Sequence, residues 1–157
     1  MTVFESPVGP LTIRVNDEGA LEEIRFGVWP GHKPSTRVID QLNEYFAGHR
    51  RDFDLPLAPR GTEFQLAVWN ELQRIAYGST ISYSELARRI ARPNAVRAVG
   101  AANGANPIPI VIPCHRVVGS NGSLTGFGGG IETKRWLLAL ESPQRAIHPP
   151  PRQTSPS

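Results

Sequence analysis

The residues of this chain with the greatest chemical potential stand side by side. Cys114, the only cysteine, is followed by His115 and Arg116 in the run Ile110-Val111-Ile112-Pro113-Cys114-His115-Arg116-Val117. Ionised, a thiol is a soft nucleophile, and cationic neighbours favour the thiolate. The apolar bracket predicts a half-buried run that holds its polar residues in a fixed frame. Pro113 has no amide N–H and a fixed φ, so a regular helix cannot pass through Cys114, and a rigid turn is expected there. On these residues alone two readings stay open: a reactive thiol, or a buried free cysteine acting as a small hydrophobe.

The elements that position this run must come from one domain or two small ones, since 157 residues suffice for a real core. A hydrophobic content of 39% and a charged content of 20% are ordinary for a globular protein. A single cysteine excludes an internal disulfide and a cysteine-rich zinc module, and it fits a reducing compartment. His32, His49, His115 and His148 are scattered without metal-ligand spacing. No run approaches the roughly 18 apolar residues of a membrane helix. Met1-Thr2-Val3-Phe4-Glu5 has no basic segment leading into an apolar one, so no secretion signal is expected and a cytoplasmic protein is. The net charge of +3 is unevenly spread: residues 1–60 carry −2 and residues 61–142 carry +3, with two arginines beyond. The basic excess lies in the half that holds Cys114. That suits a polyanion-facing surface, although simple solvation accounts for an excess of this size as well.

In the first half, residues 2–5 and 9–15 read as two strands joined by a tight turn at Pro7-Val8-Gly9-Pro10, and Asn16-Asp17-Glu18-Gly19 as a second turn. Leu21, Ile24 and Phe26 suggest a third strand. Ser35 or Thr36 caps a helix through about Ala47, with Val38, Leu42, Tyr45 and Phe46 on one face. Asp52 to Leu55 suggests an edge strand. This is a small α/β unit with no catalytic cluster, its carboxylates forming a solvated face. Leu55 to Gly61, with two prolines, reads as a stiff connector.

In the second half, Thr62-Glu63-Phe64-Gln65 fits a capping box, and Phe64, Val68, Trp69, Leu72 and Ile75 face a core up to Tyr77-Gly78. Ser82-Tyr83-Ser84-Glu85 is a second such pattern. Ala91-Arg92-Pro93 ends its helix, and Asn94 can cap the next, which runs from Ala95 to about Asn103. Helix, short turn, helix is the helix-turn-helix arrangement. The second helix carries small side chains and one long one, Arg97, which suits close, shape-based approach to a backbone more than base reading. A helix pair packed inside the core is the other reading. Ile110 to Ile112 reads as a short buried strand. Val117-Val118 reads as a strand leading to a turn, Thr125 to Gly130 as a glycine-rich loop, and Glu132 to Glu141 as a closing helix. The Pro- and Ser-rich segment from Ser142 reads as a disordered tail.

From Asn106-Pro107 and through Ile110 to Val117 the chain resembles the O6-alkylguanine-DNA alkyltransferases, also called methylated-DNA–protein-cysteine methyltransferases. Pro113-Cys114-His115-Arg116-Val117 matches their acceptor motif, and the similarity continues through Tyr83, Arg97, the glycine-rich loop and Glu141 in family order. It is strongest over residues 61–142. The first half resembles the family's N-terminal domain in outline and is compact for that role. The resemblance implies a small, ribonuclease H-like α/β domain over residues 1–55, a linker over 56–61, a mainly α domain with a winged-helix-like helix-turn-helix over 62–142, and a tail over 143–157.

The implied function is direct reversal of alkylation damage in double-stranded DNA. Cys114 takes the alkyl group irreversibly from O6-alkylguanine, and by extension O4-alkylthymine, in a flipped-out base. His115 takes the thiol proton through one water, Glu141 orients His115, Asn106 braces the turn, and Tyr83 donates to the leaving base. Arg97 fills the gap in the duplex, with Val96, Ala98, Tyr83 and Arg116 also against DNA. Val117, Phe127, Gly128 and Gly129 form the base pocket. Gly128 stands where some relatives carry serine, and Phe127 where some carry tyrosine. No cofactor, metal or membrane is implied, and a monomer is expected. A base must leave the stack for its O6 atom to be reached, and the thioether product resists hydrolysis, so each molecule acts once. Two other classes remain at this level: a thiol hydrolase using Cys114 and His115, which would turn over, and a non-enzymatic binder of damaged DNA, against which the cysteine itself counts.

Overall fold

A computed structural model describes residues 3–124 and 127–142. The N-terminal half is an antiparallel sheet of β1 (Phe4–Ser6), β2 (Gly9–Val15) and β3 (Leu21–Phe26), in that spatial order, with one helix, α1 (Thr36–Phe46). Alternation decides the buried face. Leu11, Ile13 and Val15 of β2 point inward, and Ile13 pairs with Ile24 across the ladder. The Asn16 side chain closes the β2–β3 turn by accepting from the Glu18 and Ala20 N–H groups. Of the two candidate caps, Ser35 is the one used: its hydroxyl accepts from Val38 N–H at 3.2 Å. Helical spacing then lays Val38, Leu42 and Tyr45 on the sheet.

The edge strand expected at Asp52–Leu55 does not form. The Gln41 side chain takes both backbone groups of Asp54, at 2.9 and 3.0 Å, which removes them from any ladder. The linker supplies the edge contact instead. Leu57 bridges Leu21, whose N–H donates to Pro56 O and whose carbonyl accepts from Ala58 N–H, both at 2.8 Å. Further along β3, Ile24 N–H donates to Pro107 O at 2.9 Å, tying the sheet to the loop before the cysteine.

The second half contains α2 (Glu63–Leu72), β4 (Ile81–Ser82), α3 (Tyr83–Arg89), α4 (Val96–Gly104), β5 (Val117–Val118) and α5 (Ile131–Glu141). Thr62 and Gln65 make the full capping box. The helix stops a turn before Tyr77-Gly78: Arg74 and Ile75 bond back only three residues, and the Ile75 carbonyl is taken by a side chain described below. At α3 only half of the expected box forms. Ser82 accepts from Glu85 N–H, whereas the Glu85 carboxylate is held by Arg88 and Arg89. Asn94 is not the cap of α4; that position falls to Ala95, with no side-chain bond. β4 and β5 pair in parallel, Ile81 with Val117 and Ser82 with Val118, which joins the start of α3 to the residues after the cysteine.

Ile110–Ile112 is not a strand. Pro107, Pro109 and Pro113 remove ladder donors from this stretch. Ile110 adopts φ +76, a left-handed conformation that costs an L residue about 1–2 kcal/mol. That bend buries Ile108, Ile110 and Ile112 together, and Ile112 N–H bonds back to Ile108 O at 2.9 Å. The chain then enters a single 3-10 turn, Cys114–Arg116, in keeping with the rigid turn expected at Pro113. The tail from residue 143, with Thr125 and Gly126 of the glycine-rich loop, lies outside the described residues.

Trp69 holds the two halves of this domain together. It is 2% exposed, its indole N–H donates to Ala102 O at 2.8 Å, and Gly61 lies so close that a Cβ there would come within 2.5 Å of the ring. Trp69→Ala is expected to lower stability by about 3–5 kcal/mol, measured by chemical denaturation.

Candidate active site

Cys114 is 5% exposed, and its small accessible area lies on the wall of a cavity of about 370 Å³. Asn103, Asn106, Pro107 and Pro109 line this cavity from the second half, with Phe127 and Gly128 from the glycine-rich loop. The opposite wall is the first half: Ile24, Arg25 and Phe26 of β3, then Trp29. Asn106 braces the turn at both ends, donating to Ile112 O at 2.7 Å and accepting from Ile108 N–H at 2.9 Å.

Burial pushes the Cys114 thiol up to about 11, because a thiolate is poorly solvated there; the Asn106 amide and the Lys134 charge pull in the other direction. The thiolate favoured by flanking His and Arg is therefore not the resting state. Lys134, on α5, is fully buried and donates to Val117 O at 2.7 Å. Burial lowers its pKa and the proximity of Cys114 raises it.

Behind the cysteine lies a buried carboxylate, Glu141, whose oxygens are met by polar partners. Glu141 Oε2 accepts from Tyr45 OH at 2.6 Å and Arg116 Nη2 at 2.9 Å, and lies 2.7 Å from His115 Nε2; Oε1 accepts from Arg116 Nε at 2.8 Å. The third guanidinium nitrogen of Arg116 reaches Ile75 O at 2.7 Å. Burial alone would raise the Glu141 pKa, but the charges and hydrogen bonds of His115 and Arg116 outweigh it and hold the pKa at about 2. A carboxylate on Nε2 favours the tautomer with its proton there and leaves Nδ1 to accept. Nδ1 is buried and has no partner among the described residues. A thiol, an imidazole next to it in the chain and a carboxylate that orients the imidazole are the parts of an activated cysteine.

The structure brings Cys114, His115, Glu141, Asn106, Phe127 and Gly128 to one place. Gly129 packs beside them, so close that a Cβ there would meet the Phe26 ring at 2.9 Å. Arg97 and Ala98 are exposed at the start of α4, with Val96 half-buried. Tyr83 opens α3 beside Gly100 of α4 and is not among the residues that line the cavity. Two expectations change. Arg116 is 5% exposed and engaged by Glu141 and Ile75, so it is buried in the relay and does not face DNA. Val117 is buried off the cavity wall; its N–H goes to Cys114 O and its carbonyl accepts from Lys134. The sequence reading also finds no site residue in the first half, yet Tyr45 and the β3 wall belong to it. Asn103, missed as well, donates to Cys114 O at 3.4 Å and has a buried Oδ1 without a partner among the described residues. An asparagine on the apolar face of a helix is the signal that would have found it.

Among the described residues no group of three or more His, Cys, Asp or Glu could hold a metal ion, and no helix is long and apolar enough to cross a membrane. A family model of the 6-O-methylguanine DNA methyltransferase DNA binding domain matches residues 63–143, and one of the ribonuclease-like domain of 6-O-methylguanine DNA methyltransferase matches residues 1–59. The methylated-DNA–protein-cysteine methyltransferase of Methanosarcina acetivorans is 46% identical over 150 residues, covering 88% of this chain and 96% of its own. That of Mycobacterium tuberculosis is 49% identical over 147 residues, covering 88% and 89%. The crystal structure of Mycobacterium tuberculosis OGT in complex with DNA superposes with a TM-score of 0.82 at 49% identity, covering 87% of this chain and 89% of that one. With both halves matched by its models, the chain belongs to the 6-O-methylguanine DNA methyltransferase family.

Proposed function

We propose that this chain repairs alkylated DNA by moving the alkyl group of O6-alkylguanine onto Cys114, once per molecule. The observation that carries the reading is a lone thiol on the wall of a base-sized cavity, backed by a His115–Glu141 pair. His115 Nδ1 takes the thiol proton through a bridging water. The sulfur attacks the alkyl carbon, and the S–C bond forms as the C–O6 bond breaks with its electron pair going to guanine. The leaving guanine takes up a proton from water, and the His115 imidazolium returns the thiol's proton to water, so that one proton passes from sulfur to guanine overall. Nothing in the site could cleave the resulting thioether, which makes the transfer stoichiometric.

In this reading the domains divide at residues 56–61, and α3 with α4 form a helix-turn-helix on double-stranded DNA. Support comes from the exposed basic start of α4, where Arg97 projects beside Ala98 and Val96. The small side chains of α4 let it approach the DNA closely while Arg97 fills the space of the extruded base. Tyr83, at the α3–α4 junction, donates to the leaving base. Phe127 stacks on the base, and the backbones of Gly128 and Gly129 bind its edge. O4-alkylthymine is the second substrate of this reading. The protein acts as a monomer in the cytoplasm, on nucleoid DNA.

Incubation with a duplex carrying O6-methylguanine should add about 14 Da, one methyl, localised to Cys114, with one equivalent repaired and no turnover after it. Repair with unmodified protein, or continued turnover, defeats the reading. Arg97→Ala should slow repair in duplex about tenfold, the scale of one charge-assisted contact, while reaction with free benzylguanine changes little. The ratio of the two rates is the check. Asn106→Ala should slow reaction with free benzylguanine about tenfold or more, since an uncompensated buried carbonyl loosens the turn and the thiol loses a stabilising donor. The rate against pH shows this as a thiol that ionises still higher.

A further inference from the structure

The Glu141 carboxylate is served from three directions. His115 and Arg116 reach it from the 3-10 turn, and Tyr45 reaches it from α1, 96 residues away in the chain. The remaining charged or titratable groups nearby are Tyr77, whose ring lies 5.6 Å from the Arg116 guanidinium and 6.4 Å from the Tyr45 ring, Arg51, 5.2 Å from the Tyr77 ring, and Lys134 of α5, which faces Cys114. Arg116 matches the carboxylate charge for charge, so the buried group is balanced without a proton on the imidazole. His115 and Tyr45 then share one oxygen, Oε2, with Arg116 Nη2 as its third donor at 2.9 Å. Donors on one oxygen compete for its electron density: the more one draws, the less reaches the others.

We propose that Tyr45 is a positioning residue for alkyl transfer: its hydroxyl, donating to Glu141 Oε2, limits how far the carboxylate stabilises an imidazolium at His115, so that the N-terminal half tunes the base that deprotonates Cys114. The proposal rests on Cys114 being the alkyl acceptor. The proton path is balanced. One proton leaves the Cys114 sulfur, arrives at His115 Nδ1, and is held there as imidazolium while the S–C bond forms. Tyr45 and Glu141 exchange no proton. Tyr45 is fully buried, and burial followed by the Glu141 charge holds its phenol well above the usual range, so it remains a donor throughout the working pH. Its ring meets Phe46 and Phe53, each at 5.4 Å between centroids, which fixes the hydroxyl's aim without help from solvent.

The sign follows from the geometry. Without the Tyr45 hydroxyl, Oε2 carries more charge toward His115, the imidazolium is better stabilised, and the base is blocked by its own proton at higher pH. Tyr45→Phe should therefore move the acid limb of the rate–pH profile for benzylguanine upward by about half to one unit, an approximately three- to tenfold loss below the limb. The alkaline plateau should equal or exceed that of the wild type. Site-specific 3-fluorotyrosine at position 45, a stronger donor of nearly the same shape, should move the limb the other way. It also keeps the test decisive should the phenylalanine variant fold poorly. A purely structural role would lower the rate evenly across pH or lower the melting temperature alone. Either result, or profiles that superimpose on the wild type, overturns the proposal. Mass spectrometry of the wild type on the same samples separates the two failures. A wild type that acquires no alkyl group removes the transfer reading and this proposal with it; a labelled wild type with an unmoved limb removes this proposal only.

Discussion

The site depends on keeping one carboxylate ionised where there is almost no water. An isolated buried carboxylate would take up a proton, because desolvation disfavours the charged form. Glu141 remains charged because Arg116 gives it a bidentate contact and two further groups complete its coordination. Such a pair is a weak source of net stability, since desolvating two ions offsets most of their attraction. Its value is geometric. The carboxylate sits on α5, its partners come from α1 and the cysteine turn, and Arg116 extends the reach to Ile75, just past α2. If any of these elements shifts, a charge is left unpaired, so the imidazole has one position.

The Cys114 thiol follows from that frame. At about 11 it is well above a free cysteine, and burial is the reason. For an acceptor that reacts once, a thiol that stays protonated at rest is an advantage, because the thiolate is the form open to oxidation and stray alkylation. Nearby, Asn106 and the Lys134 charge lower the cost of forming the anion without forming it in advance.

Much of this was legible in the chain, for reasons that can be named. The acceptor run, the Thr62–Gln65 box, the periodicity of α1 and α2 and the strand alternation are local patterns, and local patterns survive into structure. Most of the errors are long-range. Arg116 reads as a surface cation in a basic half, and only a carboxylate 25 residues on makes it a buried one. Tyr45 reads as one more apolar residue on a helix face, because its hydroxyl's partner is nearly a hundred residues distant. Ile110 to Ile112 has strand composition, but three prolines and a left-handed Ile110 turn it into a bend. Gln41 cancels the strand at Asp52–Leu55 by capturing Asp54, an outcome that depends on where α1 lies rather than on what residues 52–55 prefer.

The Tyr45 contact belongs to a set that joins the first half to the second around the cysteine. Ile24 bonds the loop before it, Phe26 packs edge-on to Phe127 with ring centroids 5.5 Å apart and fills the space above Gly129, and Arg25 lies 3.6 Å over the Trp29 ring at the cavity rim. The linker is laid on the sheet edge at Leu21–Leu57 and is not a free tether. A half with no nucleophile of its own thus supplies one wall of the cavity and one ligand of the carboxylate. Asp17 and Glu44 lie in surface ion pairs, whereas Glu23, paired with Arg14, is half-buried on the cavity lining, and the rest of the wall that this half supplies is largely aromatic. An aromatic wall is rigid, excludes water and offers a flat surface to a flat ligand. Opposite a sulfur that must stay dry until it reacts, those are the properties the cavity requires.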